Sequence, residues 1–128
     1  MKILVCGGHD CNNYEFVRNT LDRIMEERGC VGKHGPIDSR DPITLIHGGA
    51  KGVDLLADQW AVVNWLHMEE YKADWDKHGL AAGPIRNQRM IDEGKPDLVI
   101  AFPGGRGTAD MIKRAKKAGI KIIEVTNE

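Results

Sequence analysis

Aromatic residues make up only 5% of the sequence, cysteines number three, and positive and negative charges nearly cancel at a net −1. Each shortage excludes a class. Cys6, Cys11 and Cys30 are an odd set without the spacing of a disulfide scaffold. No apolar run approaches the length of a membrane span, and no leader-like segment opens the chain, so a cytoplasmic protein with no membrane partner is expected. The near-zero charge lacks the basic footprint that general nucleic-acid binding needs. With 128 residues, 41% hydrophobic and 29% charged, the composition is that of an ordinary globular chain, and one domain spanning residues 1–128 is expected.

Glycine, by contrast, is abundant at 15 residues, and most glycines follow directly on short β-branched runs. Lys2–Cys6 reads as a buried parallel strand, followed by Gly7, Gly8, His9 and Asp10 and then by helical periodicity from Tyr14 to Arg28. On that helix Phe16, Val17, Thr20, Leu21, Ile24 and Met25 share one face, while Arg18, Asp22, Arg23 and Glu26 are expected to face water. Residues 29–42 read as an irregular connection at the end away from any ligand, which sets Cys30 and His34 aside. The unit then repeats: strand 43–47, glycine loop 48–52, helix 53–66. A weaker strand covers 67–71, a loop 72–83, and a helix starting near Pro84 carries Arg86, Asn87 and Arg89. Strand 97–102, loop 103–108, helix 109–118 and strand 120–125 complete the chain.

This alternation predicts an α/β fold of Rossmann-like, three-layer form, with a parallel five-stranded sheet in the order 3-2-1-4-5. Ligands bind such sheets where the direction of winding switches, here between the first and fourth strands. The loops at 7–10 and 103–108 would face each other there, with 48–52 alongside. Glycine lets backbone N–H groups approach an anion closely, and each loop leads into a helix whose first N–H groups lack intrahelical partners. The loops match neither G-x-G-x-x-G nor G-x-x-x-x-G-K-[ST], which disfavours a dinucleotide dehydrogenase and an NTPase.

Pro103-Gly104-Gly105-Arg106-Gly107-Thr108 resembles the P-G-G-x-G-T motif of the SLOG superfamily. Gly48-Gly49-Ala50-Lys51-Gly52-Val53-Asp54, Asp74-Trp75 and Ala82-Gly83-Pro84-Ile85-Arg86-Asn87 look like its small YspA-like, cpYpsA-related branch. The resemblance implies binding or sensing of a nucleotide or a nucleotide-derived molecule, such as a mononucleotide or ADP-ribose, and a homodimer. The related LOG phosphoribohydrolases continue the motif to a catalytic glutamate. Its position here is Met111, while Arg86 matches their catalytic arginine. A nucleotide hydrolase or N-glycosidase is therefore the alternative reading, with Arg86, Asp110 and Asp10 as catalytic candidates. The Arg86-Asn87 pair also resembles that of the DNA-processing protein A family, but neutral charge and few aromatics make a nucleic-acid partner unlikely.

The expected ligand-binding set is thus Gly7, Gly8, His9, Gly48, Gly49, Ala50, Lys51, Gly52, Asp54, Trp75, Arg86, Asn87, Pro103, Gly104, Gly105, Arg106, Gly107 and Thr108. Several members have a plainer alternative. Asp54 can cap the second helix, Asp110 can stabilise a first helical turn, and Lys51 and Arg106 can be solvated cations. Trp75 can stack on a base, whereas Trp60 and Trp65 are expected in the core. Cys6, His9 and Cys11 lack the second half of a tetrahedral metal site, so no metal is assigned, and no cofactor is expected.

Overall fold

The computed structural model describes residues 1–28 and 42–126. Alternation along the central strands builds two cores. In β1 (Lys2–Cys6), Ile3 and Val5 enter one hydrophobic cluster, while Leu4 and Cys6 enter another. The first cluster packs under α1 (Tyr14–Glu27) and α2 (Val53–Val63), and the second under α4 (Ala82–Asp92) and α5 (Arg106–Lys117). A side chain alternates faces at every residue of a strand, so a continuous apolar run serves both layers.

β2 (Thr44–His47), β3 (His67–Glu70), β4 (Leu98–Ala101) and β5 (Lys121–Glu124) complete a parallel sheet in the order β3-β2-β1-β4-β5, as the sequence predicts. Ile3 to Cys6 pair with Leu98 to Ala101, which fixes the switch point between β1 and β4. The exposed edge strand β3 reads His-Met-Glu-Glu, the kind of charged edge that resists pairing with another chain.

Several local expectations need correction. The segment 72–83 is not all loop: α3 (Trp75–His78) and a tight turn at Gly79–Ala81 lead into α4, which starts two residues before Pro84. Asp74 starts α3 by accepting from the Lys77 N–H at 3.1 Å. α5 begins at Arg106, so Arg106, Gly107 and Thr108 form its first turn rather than a loop, and Asp110 falls beyond that turn. α2 stops at Val63, leaving Trp65 88% exposed at φ 60°, whereas Trp60 is wholly buried. Asp22 accepts a hydrogen bond from the Trp60 indole N–H at 2.8 Å, which draws it away from a purely solvated role. Cys30 and His34 lie outside the described residues.

Candidate functional site

The three glycine loops meet at the carboxyl end of the sheet. The Gly8 N–H donates to the Pro103 carbonyl at 2.9 Å, and the Val53 N–H donates to the Gly8 carbonyl at 3.2 Å. Close approach dictates the residue type at two positions. A Cβ on Gly52, whose φ is +81°, would run into the Gly8 carbonyl and the His9 backbone. One on Gly104 would overlap the Thr108 hydroxyl and lie 2.8 Å from the Gly8 nitrogen.

The loops differ in what their N–H groups do. After β2, the Gly48 and Ala50 N–H groups donate to Asp54 Oδ2 at 3.0 and 3.3 Å, and the Gly49 N–H donates to His47 Nδ1 at 3.0 Å. Those donors are engaged within the protein. After β4, Gly105 stands at the cap position before α5 and supplies no side-chain cap, and the first hydrogen bond along the helix axis runs from the Ala109 N–H to the Gly105 carbonyl at 3.0 Å. The N–H groups of Arg106, Gly107 and Thr108 precede that bond and donate to no described residue, at the positive end of the helix dipole.

Charged side chains surround this rim. Arg86, on α4, donates through Nη1 to the Gly48 carbonyl at 2.8 Å and through Nε to Asn87 Oδ1 at 3.1 Å. Burial lowers the Arg86 pKa, and the nearby Asp54 charge opposes the shift. Asp54, itself buried, has its carboxyl raised by desolvation against the pull of the Ala50 and Gly48 N–H groups and of Arg86. Asn87 donates through Nδ2 to the Gly107 carbonyl at 3.2 Å and to Asp110 Oδ2 at 3.0 Å, so both amide hydrogens hold α5 to α4. Asp110 also accepts from Arg114 Nε at 2.8 Å. Burial opposes its ionisation, but the Arg114 and Asn87 hydrogen bonds prevail and hold its carboxyl below the usual range. Met111 is fully buried in the second core cluster.

Trp75 is more than half exposed and lines a cavity of about 500 Å³ with Lys72, Asp74 and Arg89. His9, Asp10 and Lys51 are exposed in the loops, and Arg106 is exposed at the first position of α5. The crevice also opens into residues that sequence reasoning passed over: Asn12, Asn13, Phe16 and Phe102 line a cavity of about 420 Å³ with Asp10, Cys11, Val53 and Pro103. Their nearness to the first and fourth loop motifs was the available signal.

Burial, reinforced by the Asp54 charge and opposed by Arg86, pushes the Cys6 thiol up to about 12, so it stays protonated and inert. Among the described residues, ligand-type atoms of three side chains converge within 4.8 Å at His47, Asp58 and Glu70. There the Gly49 N–H occupies His47 Nδ1, which makes Nε2–H the donor to Asp58 Oδ2 at 2.8 Å. Both ring nitrogens brace the β2 loop.

A doubly wound parallel sheet with glycine loops gathered at its switch point defines a Rossmann-like protein. Within that class, the family model described as "YspA, cpYpsA-related SLOG family" matches residues 1–78, and the chain belongs to this family. It is similar to the Gene 61 protein of Mycobacterium phage D29, at 41% identity over 91 residues, which cover 63% of this chain and 70% of that protein. An X-ray structure of TM1055, a structural genomics target, shares the fold with a TM-score of 0.64 at 18% identity, covering 94% of this chain and 71% of that one.

Proposed function

We propose that the protein binds or senses a nucleotide or nucleotide-derived molecule whose phosphate sits at the start of α5. The observation that carries this reading is the uncapped turn Arg106–Thr108, whose N–H groups have no described acceptor, beside a Gly104 packed too closely for any side chain. Arg86, whose guanidinium reaches the Gly48 carbonyl, is the proposed cation of the crevice, and Asn87, which donates to the Gly107 carbonyl, is a positioning residue. The loop after β2 serves as backing, because its donors already hold Asp54 and His47.

The hydrolase alternative needs a carboxylate to replace the glutamate. Asp110 has Oδ2 engaged by Asn87 and Arg114, and Met111 is core, which leaves Asp10 to serve. The observations favour binding. Mass spectrometry of small molecules released from denatured protein, then calorimetry and turnover assays with a nucleotide panel, tests both. Retained or saturably bound nucleotide without cleavage is expected. No binding across the panel overturns the proposal, and release of free base replaces it with the enzyme reading.

The partner proposed for the outer face of α2 is a second copy of the chain. Leu55, Val62 and Val63 on that helix are exposed beside Trp65 and Met68, and an isologous contact would cover all five on both copies. Among the described residues no helix is long and apolar enough to cross a membrane.

A further inference from the structure

His47 closes β2, wholly buried, and its two hydrogen bonds make opposite demands on the ring. Nδ1 accepts from the Gly49 N–H at 3.0 Å, and Nε2 donates to Asp58 Oδ2 at 2.8 Å. The neutral ring meets both. Imidazolium meets only one, because both its nitrogens donate and the Gly49 N–H then faces another donor. An acceptor for the added proton stands close by. Glu70 pairs with His47 in register on β3, one of its carboxylate oxygens lies within 4.8 Å of a ring nitrogen, and a Cβ on Gly49 would sit 2.8 Å from Glu70 Oε1. Glycine at 49, with φ +71°, is what permits that approach.

The peptide joining Gly48 to Gly49 is held from both layers of the fold. Its N–H goes to His47, which is itself bound to Asp58 on α2, and its carbonyl accepts from Arg86 Nη1 on α4 at 2.8 Å. Neither flanking residue has a Cβ to oppose a turn of this peptide. The charged groups facing the ring are Asp54 and Asp58 from α2, Glu70 from β3 with Lys72 3.6 Å from its Oε2, and Arg86 from α4 across the Gly48 carbonyl. β1, on the other side of β2, is uncharged from Ile3 to Cys6. Positive charge on the ring works against the burial that raises the Asp54 carboxyl, and ionised Asp54 keeps the Gly48 and Ala50 N–H groups. The two ends of the loop are therefore fixed while its middle peptide can turn.

We propose that His47 is a proton-operated latch on the loop after β2. The neutral ring holds the Gly48–Gly49 peptide in place. The protonated ring donates through Nδ1 to Glu70, lets the peptide turn, and frees the Gly49 N–H and Arg86 Nη1 for an anion in the crevice. The proton comes from solvent, which reaches the partly exposed Asp58 and Glu70 side chains.

The test follows the ring nitrogens by NMR and the loop amides by hydrogen exchange between about pH 5 and 8, where histidine is the side chain whose charge ordinarily changes. In the wild-type protein the His47 ring, assigned by its absence in His47→Gln, should pass from the Nε2–H form to the doubly protonated form. Gly49 protection should fall about tenfold in step, the loss of roughly one hydrogen bond, while Gly48 and Ala50 keep theirs. Sulfate, whose charge is constant over this range, should bind about tenfold more tightly at the acid end in the wild type and not in His47→Gln. Glu70→Gln, at an exposed position, should move all three changes to lower pH. A ring that stays neutral overturns the latch. So does Gly49 protection that ignores the ring or falls together with that of Gly48 and Ala50. A pH response of sulfate binding that is absent, or that survives His47→Gln, overturns it as well. No readout uses a nucleotide, so such a failure leaves the nucleotide-binding proposal standing.

Discussion

Two aspartates of the candidate site titrate in opposite directions and should leave opposite marks on stability. Asp110, held below the usual carboxylate range by Arg114 and Asn87, contributes stability that is present above its unfolded pKa of about 3.9 and lost as pH falls through its depressed folded value. Asp54, raised by burial, does the reverse: the folded state binds the extra proton, and stability falls as pH rises from about 3.9 through the raised value. Urea unfolding between pH 3 and 7 checks both. Asp110→Asn should flatten the acid loss, and Asp54→Asn should remove a loss on the neutral side. Asn87→Ala is expected to cost about 1–3 kcal/mol, because it strips the Gly107 carbonyl and the Asp110 carboxylate of a buried donor.

The loop between β4 and α5 carries two adjacent glycines with different obligations. Gly104→Ala must displace the Thr108 hydroxyl or the Gly7 and Gly8 backbone, whereas a Cβ on Gly105 meets nothing within 4 Å at an ordinary negative φ. Thermal unfolding should therefore show Gly105→Ala within about 1 kcal/mol of wild type, a residual cap preference, and Gly104→Ala well beyond that. Gly52→Ala combines a left-handed φ with a backbone collision and should cost upwards of about 1–3 kcal/mol. The alternation of apolar runs with glycine loops made the strand order legible before any coordinates, because right-handed crossovers leave few ways to wind such units. The start of α5 was less legible: Gly105 is a weaker cap signal than an oxygen-bearing side chain, yet the helix begins after it, with Asn87 anchoring the Gly107 carbonyl. Nor does spacing reveal that Asp54 turns back onto Gly48 and Ala50 and takes up the donors of the second loop. Trp65 was misread for a related reason. Helical spacing extended past Val63 places it in the core, but the chain breaks into a left-handed turn at that residue and throws the indole outward.

At the scale of the whole molecule, the exposed stripe on α2 and the Trp65 indole give the proposed homodimer a specific test. Trp65→Ser should lower the apparent mass in light scattering at micromolar concentration and leave the protomer's fold unchanged, since the side chain supports nothing internally. An unaltered mass would remove α2 as the contact. The two backbone hydrogen bonds at Gly8 have another consequence. They tie residue 8 to residues 53 and 103, so the rim of the crevice draws on three of the strand–loop–helix units. During synthesis the loop after β1 gains its last neighbour only once residue 103 has emerged, and a fragment ending at residue 78, where the family match stops, would lack the turn at Arg106–Thr108 altogether.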